Sequence, residues 1–103
     1  YYLESGNYSP DFTKNLTLLK YENEAEIIKI IDLDSIEIKE GEIVIDALFG
    51  SGLNKPLQGF IASLITFLNS IQAIRVSMDI PSGLTGDLTQ NTFEGTVFEA
   101  DYT

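Results

Sequence analysis

The alternation of apolar and polar positions along the chain predicts strands and helices in turn. Residues 1–4, beginning Tyr1-Tyr2-Leu3, read as the tail of a strand, and Gly6-Asn7 as a loop. Ser9-Pro10-Asp11 is a helix start: Ser to cap the first free N–H groups, Pro at the first helical position, an acid in the first turn. Phe12, Leu16 and Leu19 then recur at helical spacing to about Tyr21. Residues 27–31 form a β-branched run and predict a short strand, whereas residues 32–41, acidic with scattered Ile, fit neither pattern. Residues 43–49 (Ile-Val-Ile-Asp-Ala-Leu-Phe) are apolar without alternation, which suits a strand buried on both faces. After a loop over residues 50–56, residues 57–69 place Phe60, Ile61, Leu64, Ile65 and Leu68 on one helical stripe. Residues 73–79 predict a second buried strand closed by Pro81-Ser82-Gly83. Residues 84–95 read as a polar loop and residues 96–103 as the start of another strand.

Strand, loop, helix and strand within about 40 residues make a βαβ unit. The fold class predicted is α/β, with a right-handed crossover, a mainly parallel sheet and helices on both faces. In such sheets ligands sit at the carboxyl ends of the strands. The loops over residues 50–56 and 80–86 both lie there.

The chain has 103 residues, enough for one domain. It opens as if inside a strand and stops at Ala100-Asp101-Tyr102-Thr103 as another begins, so the expectation is a partial domain, a piece of a longer protein. Cys and His are both absent. That excludes a disulfide framework, zinc sites built on those residues, and a complete Ser-His-Asp or Cys-His apparatus among these residues. Lack of Cys fits a cytoplasmic protein. Sixteen acids against six bases give a formal charge of −10, which repels phosphate backbones and argues against nucleic acid as a partner. An anionic ligand would need backbone N–H groups, a lysine or a bound cation. No apolar run approaches the ~20 residues of a membrane span.

The loop Gly50, Ser51, Gly52, Leu53, Asn54, Lys55 and Pro56 is the first candidate for chemistry. Its glycines permit a sharp bend and close approach of a ligand. A helix starting at Pro56 would direct free N–H groups back at the loop, and Lys55 adds a full positive charge. A third glycine of G-x-G-x-x-G is missing where Lys55 stands, and Lys55 is followed by Pro rather than the Ser or Thr of a P-loop. From the loop alone, a phosphate site and an ordinary strand-to-helix turn remain alternatives. Asp46, a carboxylate in an apolar strand, needs a partner, a proton or a cation. Asp79 repeats the oddity at the end of the next strand. The two could flank one site, or Asp46 could cap N–H groups of a neighbouring loop while Asp79 ties down Ser82-Gly83. Ser82 lacks a His to activate it; it is either an oxygen ligand for a cation or a turn residue. Asn15-Leu16-Thr17 matches a glycosylation site but falls in a helix. Asp32-x-Asp34 opens like a calcium loop but lacks its ligand and glycine at Ile36 and Glu37. Phe60 and Phe67 are expected in the core.

Two stretches resemble one family closely. Residues 43–59 (IVIDALFGSGLNKPLQG) and 76–84 (VSMDIPSGL) are similar to the two middle motifs of the YjeF N-terminal domain. That family runs D-A-L-F-G-T-G-L-N-R-P-x-x-G, then a helix ending near an Asn, where Asn69 stands, then S-x-D-I-P-S-G-L. Ala100-Asp101-Tyr102-Thr103 looks like its later A-D-x-T strand, so the resemblance spans nearly the whole chain as a single partial domain, residues 1–103. Ser51 replaces the commoner Thr and Lys55 the commoner Arg. The family's first motif, G-x-G-N-N-G-G-D-G, which supplies backbone for the dinucleotide phosphates and an Asn for a potassium ion, does not occur in these residues.

The resemblance implies a three-layer α/β/α Rossmann-like fold. It also implies an NAD(P)H-hydrate epimerase, an isomerase that interconverts the R and S forms of hydrated NADH or NADPH in metabolite repair. The S form then goes to a dehydratase, fused or separate. Carried over by motif, Asp46 and Ser82 would ligate potassium, and Gly50, Ser51, Gly52, Leu53, Asn54, Lys55 and Pro56 would contact the hydrated dinucleotide. Asp79 would bind that substrate and serve as acid/base. Two other readings stay open: a non-catalytic nucleotide-binding or interaction module of the same fold, or part of another small-molecule enzyme related to carbohydrate kinases. The sequence leaves formation of a homo-oligomer open.

Overall fold

The computed structural model describes residues 1–4, 6–85 and 95–103. Its elements run β1 (Tyr2–Leu3), α1 (Pro10–Glu22), β2 (Lys29–Ile30), a 3-10 turn (Leu33–Ser35), β3 (Ile43–Asp46), α2 (Gly59–Ser70) and β4 (Ile74–Ser77). They divide into two compact units, Tyr1–Glu37 and Ile38–Thr103.

In the first unit, β1 and β2 pair in parallel, Tyr2 opposite Lys29 and Leu3 opposite Ile30. The helix between them starts as its sequence dictates. Ser9 is extended, its hydroxyl accepts the Phe12 N–H at 3.1 Å, and Pro10 takes the first helical position. The helix ends on Asn23, which adopts φ 52° and donates its N–H to the Leu19 carbonyl. Residues 32–41, ambiguous in sequence, contain the short 3-10 turn, capped by Asp32, whose carboxylate accepts the Ser35 N–H at 2.9 Å. Glu4 pairs with Lys29 across the strands, and that hydrogen bond raises the lysine ammonium above its ordinary value. Ile30 and Ile36 are buried.

The second unit carries the βαβ arrangement. β3 and β4 pair in parallel with Ile43 opposite Ile74, Val44 opposite Arg75, Ile45 opposite Val76 and Asp46 opposite Ser77. Beyond β4, Tyr102 forms a parallel bridge to Val76 and accepts the Ser77 N–H at 2.8 Å. The strand expected over residues 96–103 is thus a single bridge, with residues 96–101 held by other contacts. Leu64, Ile65 and Leu68 of α2, with Leu57 and Phe98, form the buried apolar core of this unit.

Four expectations need correction. The strands are shorter than the apolar runs, because the N–H groups of Leu48 and Phe49 are claimed by the side chains of Asp46 and Ser82 rather than by a neighbouring strand. The strands are not buried on both faces: Ile43 and Ile45 are 62% and 60% exposed and Ile74 45%, while Asp46 and Ser77, on the alternate face, are 4% and 3%. One crossover helix in this unit can cover only one side of the pair. Helix α2 begins at Gly59, not at Pro56 or Leu57. Leu57 is buried as part of the loop, Gln58 is extended, and Gly59 turns the chain with φ +61°. Phe60 consequently falls in the first turn and is exposed rather than in the core. The polar loop expected over residues 84–95 lies mostly outside the described residues.

Candidate functional site

The carboxyl ends of β3 and β4 bring Asp46 and Ser82 together. Asp46 leaves β3 on the buried face, and its carboxylate needs donors there. Its Oδ1 accepts the Ser82 hydroxyl at 2.6 Å and the Leu48 N–H at 3.2 Å, and its Oδ2 accepts the Ser82 N–H at 2.7 Å. Ser82, 1% exposed, accepts the Phe49 N–H on its hydroxyl at 3.1 Å. Its carbonyl accepts the Phe98 N–H at 2.8 Å. Asp46 therefore survives in an apolar setting through donors from Leu48 and Ser82, and it ties the loop after β3 to the loop after β4.

Asp79 does a parallel job from an exposed position. Its Oδ2 accepts the Ser51 N–H at 2.9 Å. A Cβ at Gly50 would lie 2.7 Å from that same oxygen, so glycine at 50 lets the carboxylate close on the loop. The expectation that Asp79 ties down Ser82-Gly83 is replaced by this contact with Gly50-Ser51. The bend itself is closed by the Leu53 N–H on the Gly50 carbonyl at 3.3 Å. Three donors of one loop, at Leu48, Phe49 and Ser51, are thus held by Asp46, Ser82 and Asp79. Among the described residues the N–H groups of Gly52, Asn54 and Lys55 make no hydrogen bond, and Lys55 is exposed beside them. Pro56 sits away from the helix start and packs its ring toward Gly95, where a Cβ would meet it at 3.1 Å.

Behind the loop after β4 the packing leaves no latitude. Gly83 has φ +96°, and a Cβ there would lie 2.2 Å from the Thr96 carbonyl. Two features escaped the sequence reading. Ser77, opposite Asp46 in register and on the same buried face, has a buried hydroxyl with no hydrogen-bond partner among the described residues. Arg75, inside the apolar run, donates from a guanidinium nitrogen to the Asn69 carbonyl at 2.8 Å, while its own N–H donates to the Asp101 carboxylate at 2.8 Å. A cation in a run otherwise apolar was the signal for such partners. Among the described residues no three His, Cys, Asp or Glu side chains gather as a metal cluster, and no helix is long and apolar enough to cross a membrane.

Comparison with known proteins bears on this geometry directly. The family described as YjeF-related protein N-terminus matches residues 1–103. An NAD(P)H-hydrate epimerase of Anaerococcus prevotii is 36% identical over 101 residues, which covers 90% of this chain and 44% of that protein. One of Elusimicrobium minutum is 46% identical over 66 residues, 64% of this chain and 29% of that protein. A bifunctional NAD(P)H-hydrate repair enzyme Nnr of Thermofilum pendens is 41% identical over 69 residues, 67% of this chain and 13% of that protein. The chain spans less than half the length of these relatives. No solved structure matches it. A family match over every residue, on a chain whose second unit is a parallel βαβ arrangement with two acid-anchored loops at the strand ends, means that it belongs to the YjeF-related N-terminal family and has its Rossmann-like α/β fold.

Proposed function

We propose that these residues form part of the substrate site of an NAD(P)H-hydrate epimerase, the isomerase that interconverts the R and S forms of hydrated NADH and NADPH. The observation that carries the reading is the pair of loops at the carboxyl ends of β3 and β4, where such sheets bind nucleotides. In it Asp79 holds the loop in shape through Oδ2 and keeps Oδ1 without a hydrogen bond among the described residues. Asp79 is the acid/base: a carboxylate beside the changing carbon moves a proton as the hydroxyl leaves as water and returns to the other face. Gly50, Ser51, Gly52, Leu53, Asn54, Lys55 and Pro56 contact the dinucleotide, with Lys55 and the unengaged N–H groups of Gly52 and Asn54 opposing its negative charge in an otherwise acidic chain.

Asp46 and Ser82 would hold a potassium ion. The residues present fit it. A carboxylate has about four lone-pair positions, of which Asp46 uses three, and the Ser82 hydroxyl accepts from one N–H and retains a second lone pair. Oxygen donors with a single negative charge suit a weakly charged hard cation. The unpartnered hydroxyl of Ser77, in register with Asp46, adds a buried oxygen on the same face. When bound, the ion would neutralise Asp46 and help fix the substrate's anionic part.

The dehydratase that consumes the S hydrate is the partner this reading implies. The relatives of Thermofilum pendens and Dictyoglomus turgidum are bifunctional NAD(P)H-hydrate repair enzymes, which supports a fused arrangement of the two activities. The test uses a full-length protein containing these residues, a mixture of R and S hydrates of NADH, and a dehydratase that consumes only the S form. Asp79→Asn is expected to abolish accelerated consumption of the R form while the protein stays folded; full activity in that variant contradicts the acid/base role. A non-catalytic nucleotide-binding module would show binding of the hydrates with no acceleration in the same assay.

A further inference from the structure

The loop after β4 is held from behind by a segment whose two edges face different partners. Within residues 97–99 the carbonyl of Val97 and the N–H of Glu99 share one partner, and the N–H of Phe98 meets another. On the first side the Asn69 side chain meets both groups: its amide nitrogen donates to the Val97 carbonyl at 2.8 Å and its oxygen accepts the Glu99 N–H at 2.9 Å. On the second side the Phe98 N–H donates to the Ser82 carbonyl at 2.8 Å. The Phe98 ring is 1% exposed, as is Ser82. Asn69 thus takes the place of a neighbouring strand for a segment that forms no extended ladder among the described residues.

Asn69 is itself fixed. It lies in the last turn of α2, and its carbonyl accepts from Arg75 of β4 at 2.8 Å. Only a side chain with one donor and one acceptor at amide spacing can satisfy Val97 and Glu99 together. The line of contact runs from Asn69 through Val97–Glu99 and the Phe98 N–H to Ser82, whose own N–H and hydroxyl meet Asp46.

We propose that Asn69 is the positioning residue of the Asp46–Ser82 site: its amide sets the Phe98 N–H, and that N–H sets the height and tilt of Ser82 beside Asp46. This rests on the reading of that pair as the potassium and substrate site. Asn69 touches neither ion nor substrate; it acts through Ser82. Asn69→Asp keeps the acceptor for Glu99 but sets a carboxylate oxygen against the Val97 carbonyl.

The experiment has two arms on a full-length protein containing these residues. In the first, potassium chloride is titrated in the epimerase assay. Asn69→Asp is expected to raise the potassium concentration for half-maximal rate by about 10-fold or more, as loss of a partner behind a metal ligand does. A lowered Tm with an unchanged potassium midpoint would overturn the proposal. In the second arm, which needs no activity, amide hydrogen exchange is compared in wild type and variant. Exchange at Ser82 and Phe98 should accelerate while Leu64 and Ile65 in α2 stay protected; unchanged exchange at Ser82 overturns the proposal. A wild-type protein without potassium-dependent turnover would contradict the proposed function, and the second arm would then decide the role of Asn69 alone. If Asn69→Asp does not fold, Asn69→Ala, which introduces no charge, replaces it in both arms.

Discussion

Asp46 and Asp79 stand at the carboxyl ends of adjacent strands and look alike in sequence, yet they sit in opposite surroundings. Among the described residues Asp46 is buried and accepts three hydrogen bonds, while Asp79 is exposed and accepts one. Removing Asp46 therefore has two consequences. Asp46→Ala strands the Ser82 N–H, the Ser82 hydroxyl and the Leu48 N–H, and each buried group left without a partner costs roughly 1–3 kcal/mol. It also removes the single charge at the proposed ion site. Denaturant titration should show a large loss of stability, and potassium should no longer strengthen substrate binding by the full-length protein. Potassium dependence that persists in Asp46→Ala contradicts the ion assignment. Gly83 is the other decisive residue. At φ +96°, with the Thr96 carbonyl where a Cβ would go, Gly83→Ala must both strain the backbone and push the 96–97 segment away. The strain alone is of order 1–3 kcal/mol, and thermal unfolding should show a clear drop in Tm. An unchanged Tm would mean that the two segments are not in contact.

At the scale of elements, local chemistry was legible and long-range competition was not. Ser9-Pro10-Asp11 announces α1 because capping involves only residues within one turn, and the helix starts where those residues require. The end of β3 was not legible. Its apolar run continues to Phe49, but the donors of Leu48 and Phe49 are taken by the side chains of Asp46 and of Ser82, a residue more than 30 positions away. The start of α2 failed for a related reason: Pro56 is a good first helical residue, but burial of Leu57 and the left-handed turn at Gly59 postpone the helix. The stripe on α2 held where it counts, at Leu64, Ile65 and Leu68. Ile65 has no exposed surface. Ile65→Ala should cost about 2–5 kcal/mol by lost burial and a residual cavity, read as a shift in denaturation midpoint. A loss below ~1 kcal/mol would place the core elsewhere.

At the scale of the whole molecule, the sequence motifs specified the parallel β3–β4 pair and the residues that gather at its carboxyl ends, since D-A-L-F-G begins on the last residue of β3 and D-I-P-S-G two residues past the end of β4. What they did not specify was the bracing: the roles of Asn69, Arg75, Phe98 and Ser77 depend on which backbone groups lie opposite them, and spacing carries no information about that. The chain spans less than half of its relatives' length. A substrate held by part of its contacts is neither tightly bound nor well oriented, and a displacement of ~1 Å can cost on the order of 100-fold in rate. The 103-residue chain alone is accordingly expected to show no measurable epimerase turnover. The most direct measurement of the central claim is the rate at which the R hydrate of NADH is consumed when an S-specific dehydratase is present in excess. A full-length protein containing these residues should raise that rate well above the uncatalysed interconversion, in proportion to its concentration. A rate indistinguishable from the uncatalysed one, from a folded full-length protein, would contradict the epimerase account.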